Sequence, residues 1–218
     1  MKTSTNVSWV VLVLVLVVGI TPVTALDTVV GETIVDLDGE RAHVRTGETN
    51  LGNLMADMML AVTDADLAFT NGGGIRTSVP AGPITMEQIL EVHPFSNVIV
   101  TVEMTGRQIL EALEHGVSQY PEHWGGFPQV SGFSFTFDPA LPVGERIVSL
   151  ETGGGTPDPD RTYVVATNDF LAAGGDGYVP FENAPLLQEF VSLDIAMIEF
   201  VRDYSPLNAR VEGRINRR

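Results

Sequence analysis

Two glycine-rich segments of this chain each follow a short apolar run. Residues 66–70 are predicted to form a buried strand that leads into Asn71-Gly72-Gly73-Gly74-Ile75-Arg76, and a β-branched run at 163–167 leads into the segment 168–178. Consecutive glycines let backbone amides approach a ligand closely and adopt angles closed to other residues. A ligand-binding loop and a glycine-rich turn with a solvated arginine both explain the first segment taken alone.

Helical periodicity and capping signals predict four helices. Apolar residues recur at three- and four-residue steps from Leu51 to Val62, which places them on one face of a helix. At two later positions a threonine stands three residues before a glutamine, as in a capping box. The predicted helices begin near Asn50, after Thr85 (to about Val92), after Thr105 (to near Tyr120) and at about Leu193 (to Tyr204).

Alternating and β-branched segments predict further strands. Alternation over residues 130–137 puts three phenylalanines on one face, where they are expected to lie in the core. Asp38-Gly39 is a turn signal that should send a strand at 33–37 back towards Val44 and Arg45. Strands are also predicted at 98–102, at 146–150 as the return of a hairpin, and at 211–215 as a strand or tail.

The first 25 residues have the layout of a secretory signal peptide. Lys2 gives a weakly positive start, an apolar run covers residues 9–20, and Val23-Thr24-Ala25 offers small residues for cleavage. The apolar run is short for a membrane span, so we expect cleavage and export, with a retained anchor as the alternative. No repeat or linker divides residues 26–218, which are predicted to form one α+β domain with a mixed β-sheet packed against helices.

The charge of the chain bears on its partners. The formal net charge is −16, and Lys2 is the only lysine, so nearly all positive charge is arginine. Nucleic acid is not expected as a partner because a phosphate backbone is bound through clustered basic residues. A small anion can still bind in a locally positive pocket. The acidity is also compatible with salt adaptation, and the lack of cysteine rules out disulfide and thiolate chemistry.

The predicted loops carry side chains that each suit one part of a nucleotide. Two arginines could neutralise a phosphate, two phenylalanines from different loops could enclose a base, a glycine-flanked carboxylate could accept both ribose hydroxyls, and amides could read base edges. These residues are Arg45, Arg76, Phe95, Phe170, Asp176, Asn71 and Asn97.

Five motifs follow one another along the chain: Glu48-Thr49-Asn50-Leu51-Gly52-Asn53-Leu54, Asn71-Gly72-Gly73-Gly74-Ile75-Arg76, His93-Pro94-Phe95, Gln129-Val130-Ser131-Gly132 and the segment 168–177. In this order they resemble the successive signatures of one family, the C-terminal, substrate-binding domain of 5′-nucleotidases and UDP-sugar hydrolases. The similarity extends from about Thr33 to Ile215, and an ordered set of motifs is far more specific than any one of them.

The resemblance implies a nucleotide-binding role and assigns a part to each residue. The resemblance implies that the base lies between two aromatic rings, that the ribose hydroxyls bind a carboxylate and that the phosphate binds arginines. The implied positions are Phe95 and Phe170 for the base, Asp176 for the ribose, Arg45, Arg76 and Asn71 on the phosphate side, Asn97 near the base, Gly125 close to the nucleoside, and Gly73 and Gly74 in the glycine loop.

The family's catalytic machinery has no counterpart in this sequence. In full-length members the domain follows a metallophosphatase domain that holds two metal ions. Two-metal hydrolysis needs a dense set of histidine, aspartate and asparagine ligands. None of the four histidines lies in such a motif, and each is expected on the surface or on a helix face: His43, His93, His115 and His123. No cofactor is therefore expected in this chain, and a divalent metal pair would belong to a missing or separate catalytic domain.

Three functions remain open at this point. The chain could be the specificity half of an exported 5′-nucleotidase-type phosphohydrolase, partnered by a separate metallophosphatase domain. It could instead be a non-catalytic extracellular module that captures nucleosides or nucleotides. A structural domain that no longer uses the pocket is the third, but a core does not need Phe95, Phe170 and Asp176 in loops. Whether the chain itself is an enzyme is left open.

Overall fold

The computed structural model describes residues 25–218, so the predicted signal peptide, apart from Ala25, lies outside the described residues. The strands are β1 (Val29–Thr33), β2 (Leu67–Asn71), β3 (Gly82–Thr85), β4 (Val98–Thr105), β5 (Pro128–Ser131), β6 (Phe133–Phe137), β7 (Ile147–Thr152), β8 (Thr162–Asn168), β9 (Leu186–Ser192) and β10 (Ile215–Arg217). The helices are α1 (Arg41–Val44), α2 (Asn50–Thr63), α3 (Met86–Val92), α4 (Gly106–Gly116), α5 (Asp169–Ala172), α6 (Val179–Glu182) and α7 (Leu193–Tyr204).

A mixed five-stranded sheet forms the centre of the α+β domain. Its strand order is β5-β2-β8-β4-β9, in which β2 and β8 run parallel and every other neighbouring pair is antiparallel. Strand β2 is buried along its whole length, which explains why its first three residues, Leu67, Ala68 and Phe69, are all apolar and do not alternate with polar ones. Two smaller sheets, β1-β3 and β10-β6-β7, complete the strand pairing of the described residues.

The two faces of this sheet pack into separate hydrophobic cores. Along β2, Ala68 joins a core built with α2, α3 and α7, whereas Leu67 and Phe69 join a second core that contains α4 and the β6 phenylalanines. The division follows from the two-residue side-chain period of a strand. Both predicted capping boxes are present, at Thr85 with Gln88 and at Thr105 with Gln108. Within residues 25–218, no helix is long and apolar enough to cross a membrane.

The predicted hairpin around Asp38-Gly39 is wrong. Strand β1 ends at Thr33, and the chain then pairs with residues 77–79: Leu37 exchanges backbone hydrogen bonds with Val79, and the amide of Gly39 donates to the Ser78 hydroxyl at 2.9 Å. A side chain at Gly39 would lie 2.1 Å from the Thr77 carbonyl oxygen, so that close approach needs glycine. The helix α1 follows in place of a returning strand.

The predicted strand over residues 130–137 is two strands that belong to different sheets. Gly132 separates β5 from β6 with a φ of 83°, a left-handed conformation that suits glycine. The three phenylalanines do share a buried face as predicted, and β7 returns from β6 in the predicted hairpin. Strands β3 and β9 were not predicted, and the second capped helix ends at Gly116, ahead of the predicted Tyr120.

Candidate functional site

Four loops meet at one edge of the five-stranded sheet. The parallel strands β2 and β8 both end there, at Asn71 and Asn168, so the two glycine-rich segments emerge side by side. Strands β4 and β5 run the opposite way, and the loops that precede them reach the same edge, because Ile99 pairs with Asn168 and Pro128 with Asn71. Strand order thus places four separate sequence segments around one space, and a fifth segment contributes Arg45 from the C-terminal end of α1.

That space is a cavity of about 500 Å³, within the size range of small-molecule sites. All ten residues that the sequence analysis named as substrate-binding line it, and the structure brings all of them together. The lining residues are Arg45, Asn71, Gly73, Gly74, Arg76, Phe95, Asn97, Gly125, Phe170 and Asp176.

The glycine loop packs directly against a second loop. The amides of Gly72 and Gly73 donate to the carbonyl oxygens of Phe127 and Gly125, both at 2.7 Å. A Cβ on Gly73 would stand 2.8 Å from the Cα of Gly125, closer than real Cβ contacts come. Glycine is therefore required here so that two backbones can form one wall of the cavity.

Two guanidinium groups lie on this wall, and neither forms an ion pair with an acidic side chain in the described part of the chain. Arg45 is 6% exposed, and its Nη1 donates to the His123 carbonyl at 3.3 Å, while its buried Nε has no hydrogen-bond partner among the described residues. Burial lowers the pKa of Arg45, and the charges of Arg41 and Arg76 lower it further, against a smaller opposite effect of Asp176. Positive charge is thus concentrated where an anion would relieve the repulsion.

A single carboxylate, that of Asp176, lines the same cavity as these arginines. Asp176 has a left-handed backbone with φ 53° and ψ 19°, and its Oδ2 accepts from Asn71 Nδ2 at 3.0 Å. The Oδ1 of Asn71 in turn accepts from Asn168 Nδ2 at 3.2 Å, and Asn168 Oδ1 caps α5 by accepting from the Leu171 amide. A hydrogen-bonded chain therefore fixes this carboxylate and leaves it capacity to accept from a ligand.

Two phenylalanines are far more exposed than residues of this type usually are. Phe95 is 52% and Phe170 is 43% exposed, and both line the cavity. The Arg76 guanidinium lies over the Phe95 ring, 5.5 Å from its centroid. A Cβ on Gly175 would lie 2.6 Å from the Phe170 ring, so the absence of a side chain there lets this ring pack closely against the loop.

The loops that carry the two rings are tied to each other. Asn97 Nδ2 donates to Asp169 Oδ1 at 2.7 Å, and the same oxygen accepts from the Phe170 amide at 2.9 Å. The carbonyl of Asn97 also accepts from the Leu193 amide that begins α7. These contacts hold the spacing between the rings before any ligand arrives.

The histidines differ in part from the expectation. His93 is buried and not on the surface, and its Nδ1 forms a hydrogen bond with the Gly74 carbonyl oxygen at 2.9 Å. Burial lowers the pKa of His93. His43 is a surface residue paired with Asp38, and the exposed His123 side chain lines a separate cavity. His115 bonds the backbone of Asp176. Within residues 25–218, no three histidine or acidic side chains lie close enough to hold a metal ion.

Three supporting residues were missed by sequence reasoning. Asn168, Asp169 and His115 do not line the cavity, but each one bonds a residue that does. The first two lie inside a motif that was quoted as a whole, so that motif was their only signal. His115 lies on a helix 61 residues before its partner, and no local pattern connects the two.

Comparison with known proteins matches this chain to the C-terminal domains of one family. Residues 29–183 match the family model described as 5′-nucleotidase, C-terminal domain. The chain is 44% identical over 197 residues to the trifunctional nucleotide phosphoesterase protein YfkN of Bacillus subtilis, which covers 85% of this chain and 14% of that protein. Identity to protein UshA of Escherichia coli is 35% over 187 residues, covering 85% of this chain and 33% of UshA.

A solved structure supports the same relationship. The 5′-nucleotidase precursor from Thermus thermophilus superimposes with a TM-score of 0.84 at 40% sequence identity, covering 88% of this chain and 40% of that one. This chain therefore spans a third or less of the length of the two curated relatives described above.

Proposed function

Because this chain belongs to the family of 5′-nucleotidase C-terminal domains, we propose that it binds nucleosides and nucleotides as the specificity domain of an exported 5′-nucleotidase-type phosphohydrolase. The observation that carries the proposal is one cavity lined by exposed aromatic rings, two guanidinium groups and a fixed carboxylate. A nucleotide has a complementary part for each of these groups. Export rests on residues 1–25, of which all but Ala25 lie outside the described part of the chain.

The contribution of the domain to hydrolysis would be orientation. The base would stack between Phe95 and Phe170, both ribose hydroxyls would donate to Asp176, and the 5′-phosphate would lie towards Arg45 and Arg76. Holding a reactant in the correct geometry lowers a barrier substantially without any chemistry by the binding residues. The described residues do not offer a ligand set for the metal pair of this family, so we propose that a separate metallophosphatase domain holds it and performs the phosphoryl chemistry.

Isothermal titration calorimetry with adenosine, AMP and adenine tests the binding proposal. We expect adenosine to bind more tightly than adenine, because only the nucleoside carries the two hydroxyls, and AMP to bind at least as tightly as adenosine. No measurable heat with any of the three at millimolar concentration would refute the proposal.

Replacement of Arg76 by methionine should separate phosphate recognition from nucleoside recognition. Arg76 is exposed, so Arg76→Met removes the charge with little effect on the fold. We expect AMP affinity to fall about tenfold, the value of one charge-assisted contact, and adenosine affinity to stay within about twofold. Arg107→Met is the matched control, because Arg107 is also exposed but pairs with Asp160 away from the cavity. An equal loss for both ligands would contradict the assignment.

A phosphate-release assay distinguishes a specificity domain from a complete enzyme. Purified residues 26–218 with AMP and Mn²⁺, Zn²⁺ or Mg²⁺ are expected to release no phosphate above the metal-only background, because we assign the metal ligands to another domain. Turnover that depends on the protein and is abolished by a chelator would contradict the assignment of the metal ligands to another domain. It would not contradict the proposed nucleotide-binding site.

A further inference from the structure

His115 connects helix α4 to the loop that carries the candidate ribose-binding carboxylate. The residue lies at the end of α4, and its Nε2 is 2.8 Å from the main-chain carbonyl oxygen of Asp176. A carbonyl oxygen only accepts hydrogen bonds, so Nε2 must carry a hydrogen and donate it in this contact. The imidazole itself does not line the cavity.

The backbone that receives this bond is in an unusual conformation. Asp176 has φ 53°, between Gly174 at φ 80° and Gly177 at φ 77°. A non-glycine residue in the left-handed region is disfavoured and persists only where its surroundings hold it. The Asn71 amide holds the Asp176 carboxylate, and the His115 imidazole holds the Asp176 carbonyl. Together they set the direction in which the remaining carboxylate lone pairs point.

Aromatic neighbours fix the imidazole in turn. Its ring stands nearly perpendicular to Trp124, at 86° and 5.1 Å between centroids, and to Tyr178, at 78° and 4.7 Å. The Tyr178 hydroxyl donates to the Gly126 carbonyl, beside the Gly125 that lines the cavity. Burial, and secondly the charge of Asp176, raise the pKa of Tyr178 well above its ordinary value, so the hydroxyl keeps its hydrogen. The imidazole therefore has little freedom to turn away from Asp176.

We propose that His115 is a positioning residue for ribose recognition, acting through the Asp176 backbone on the carboxylate that accepts the two hydroxyls. This inference rests on the proposed nucleoside-binding function and deepens it. It implies that the side chain at position 115 must be long enough to reach the Asp176 carbonyl and must donate a hydrogen bond to it. Without that bond, the protein should lose part of its preference for a ligand that carries both ribose hydroxyls. Among the described residues, the His115 imidazole bonds the backbone of Asp176 and none of the side chains assigned to the base or to the phosphate.

The test compares His115→Met with His115→Gln in the purified chain. The two replacements have nearly the same length and shape, but only glutamine can donate to the Asp176 carbonyl. The probes are adenosine and 2′,3′-dideoxyadenosine, measured by calorimetry. We expect His115→Met to lower adenosine affinity about tenfold, because a misdirected carboxylate would lose about one hydrogen bond to the diol, and to change dideoxyadenosine affinity less than about twofold. His115→Gln should restore most of the adenosine affinity.

Each alternative outcome overturns the inference in a recognisable way. Equal losses for both nucleosides, or equal losses in the glutamine and methionine variants, would show that His115 only supports the fold. Unchanged adenosine affinity in His115→Met would show that the bond has no influence on the diol. Failure of the unsubstituted chain to bind either nucleoside would refute the proposed function itself and this inference with it.

Discussion

Asp176→Asn should lower the affinity for adenosine about 100-fold and leave the affinity for 2′,3′-dideoxyadenosine nearly unchanged. The amide has one acceptor oxygen where the carboxylate has two, so one ribose hydroxyl loses a charge-assisted hydrogen bond and faces a donor group, at a cost of about 2–3 kcal/mol. Asparagine tolerates the left-handed backbone of this position better than other replacements, which separates the loss of charge from backbone strain. Calorimetry with both nucleosides measures the effect.

Asp160→Asn is the matched control for this substitution. Asp160 is an exposed aspartate that pairs with Arg107 in the loop before β8, at the opposite end of that strand from the cavity. The same chemical change there should alter neither affinity. Wild-type adenosine binding by Asp176→Asn would remove Asp176 from the site, and a parallel loss of dideoxyadenosine binding would mean that it shapes the pocket without contacting the diol.

Alanine replacement of the two exposed phenylalanines should weaken binding of the base. Stacking of a base on an aromatic side chain contributes about 1–3 kcal/mol, so we expect Phe95→Ala and Phe170→Ala each to lower adenosine affinity about 10- to 100-fold. Phe95 also supports the Arg76 guanidinium, whereas the Phe170 ring lies against Gly175. Phe95→Ala should therefore reduce AMP affinity more than adenosine affinity, and Phe170→Ala should reduce both equally.

Tyr204→Ala provides the control for the loss of an exposed ring. Tyr204 is 58% exposed and stacks on Phe200 beside a different cavity, so its removal should leave nucleoside affinity unchanged. Thermal unfolding of all three variants would verify that the folds are intact. Retained adenosine affinity in both phenylalanine variants would contradict the stacking model. This conclusion would not depend on the affinities measured for the aspartate variants.

The candidate site relies on residues outside the cavity for its geometry. Asn168 joins the end of β8 to Asn71 at the end of β2, and Asp169 joins the Phe170 loop to Asn97. These bonds hold the loops that carry the candidate base, ribose and phosphate contacts in fixed relative positions in the absence of ligand. Preorganisation of this kind reduces the ordering cost of binding.

The elements with local signals were predictable, and those that depend on distant partners were not. Helix α2 and both capped helices follow from residues within a few positions of each other, and their starts agree with the structure. Strand β9 is an exposed edge strand with no alternating pattern, and its pairing with β4 defines it. The turn signal at Asp38-Gly39 does not produce a hairpin, because distant partners take up the hydrogen bonds of this segment: the Leu37 backbone pairs with Val79, and the amides of Asp38 and Gly39 donate to the side chains of Asn50 and Ser78.

For the candidate site, the sequence by itself determined the chemical inventory: glycine loops after buried strands, two phenylalanines in loops, and the arginines and carboxylate that suit a nucleotide. Only the tertiary structure decided that these groups surround one cavity, since the hydrogen bond from Asn71 to Asp176 spans 105 residues. It also brought His115 into hydrogen-bonding contact with the Asp176 backbone. The physical reason is that local patterns record a residue's own backbone preference and burial, whereas convergence on one edge depends on the order and direction in which distant strands pair.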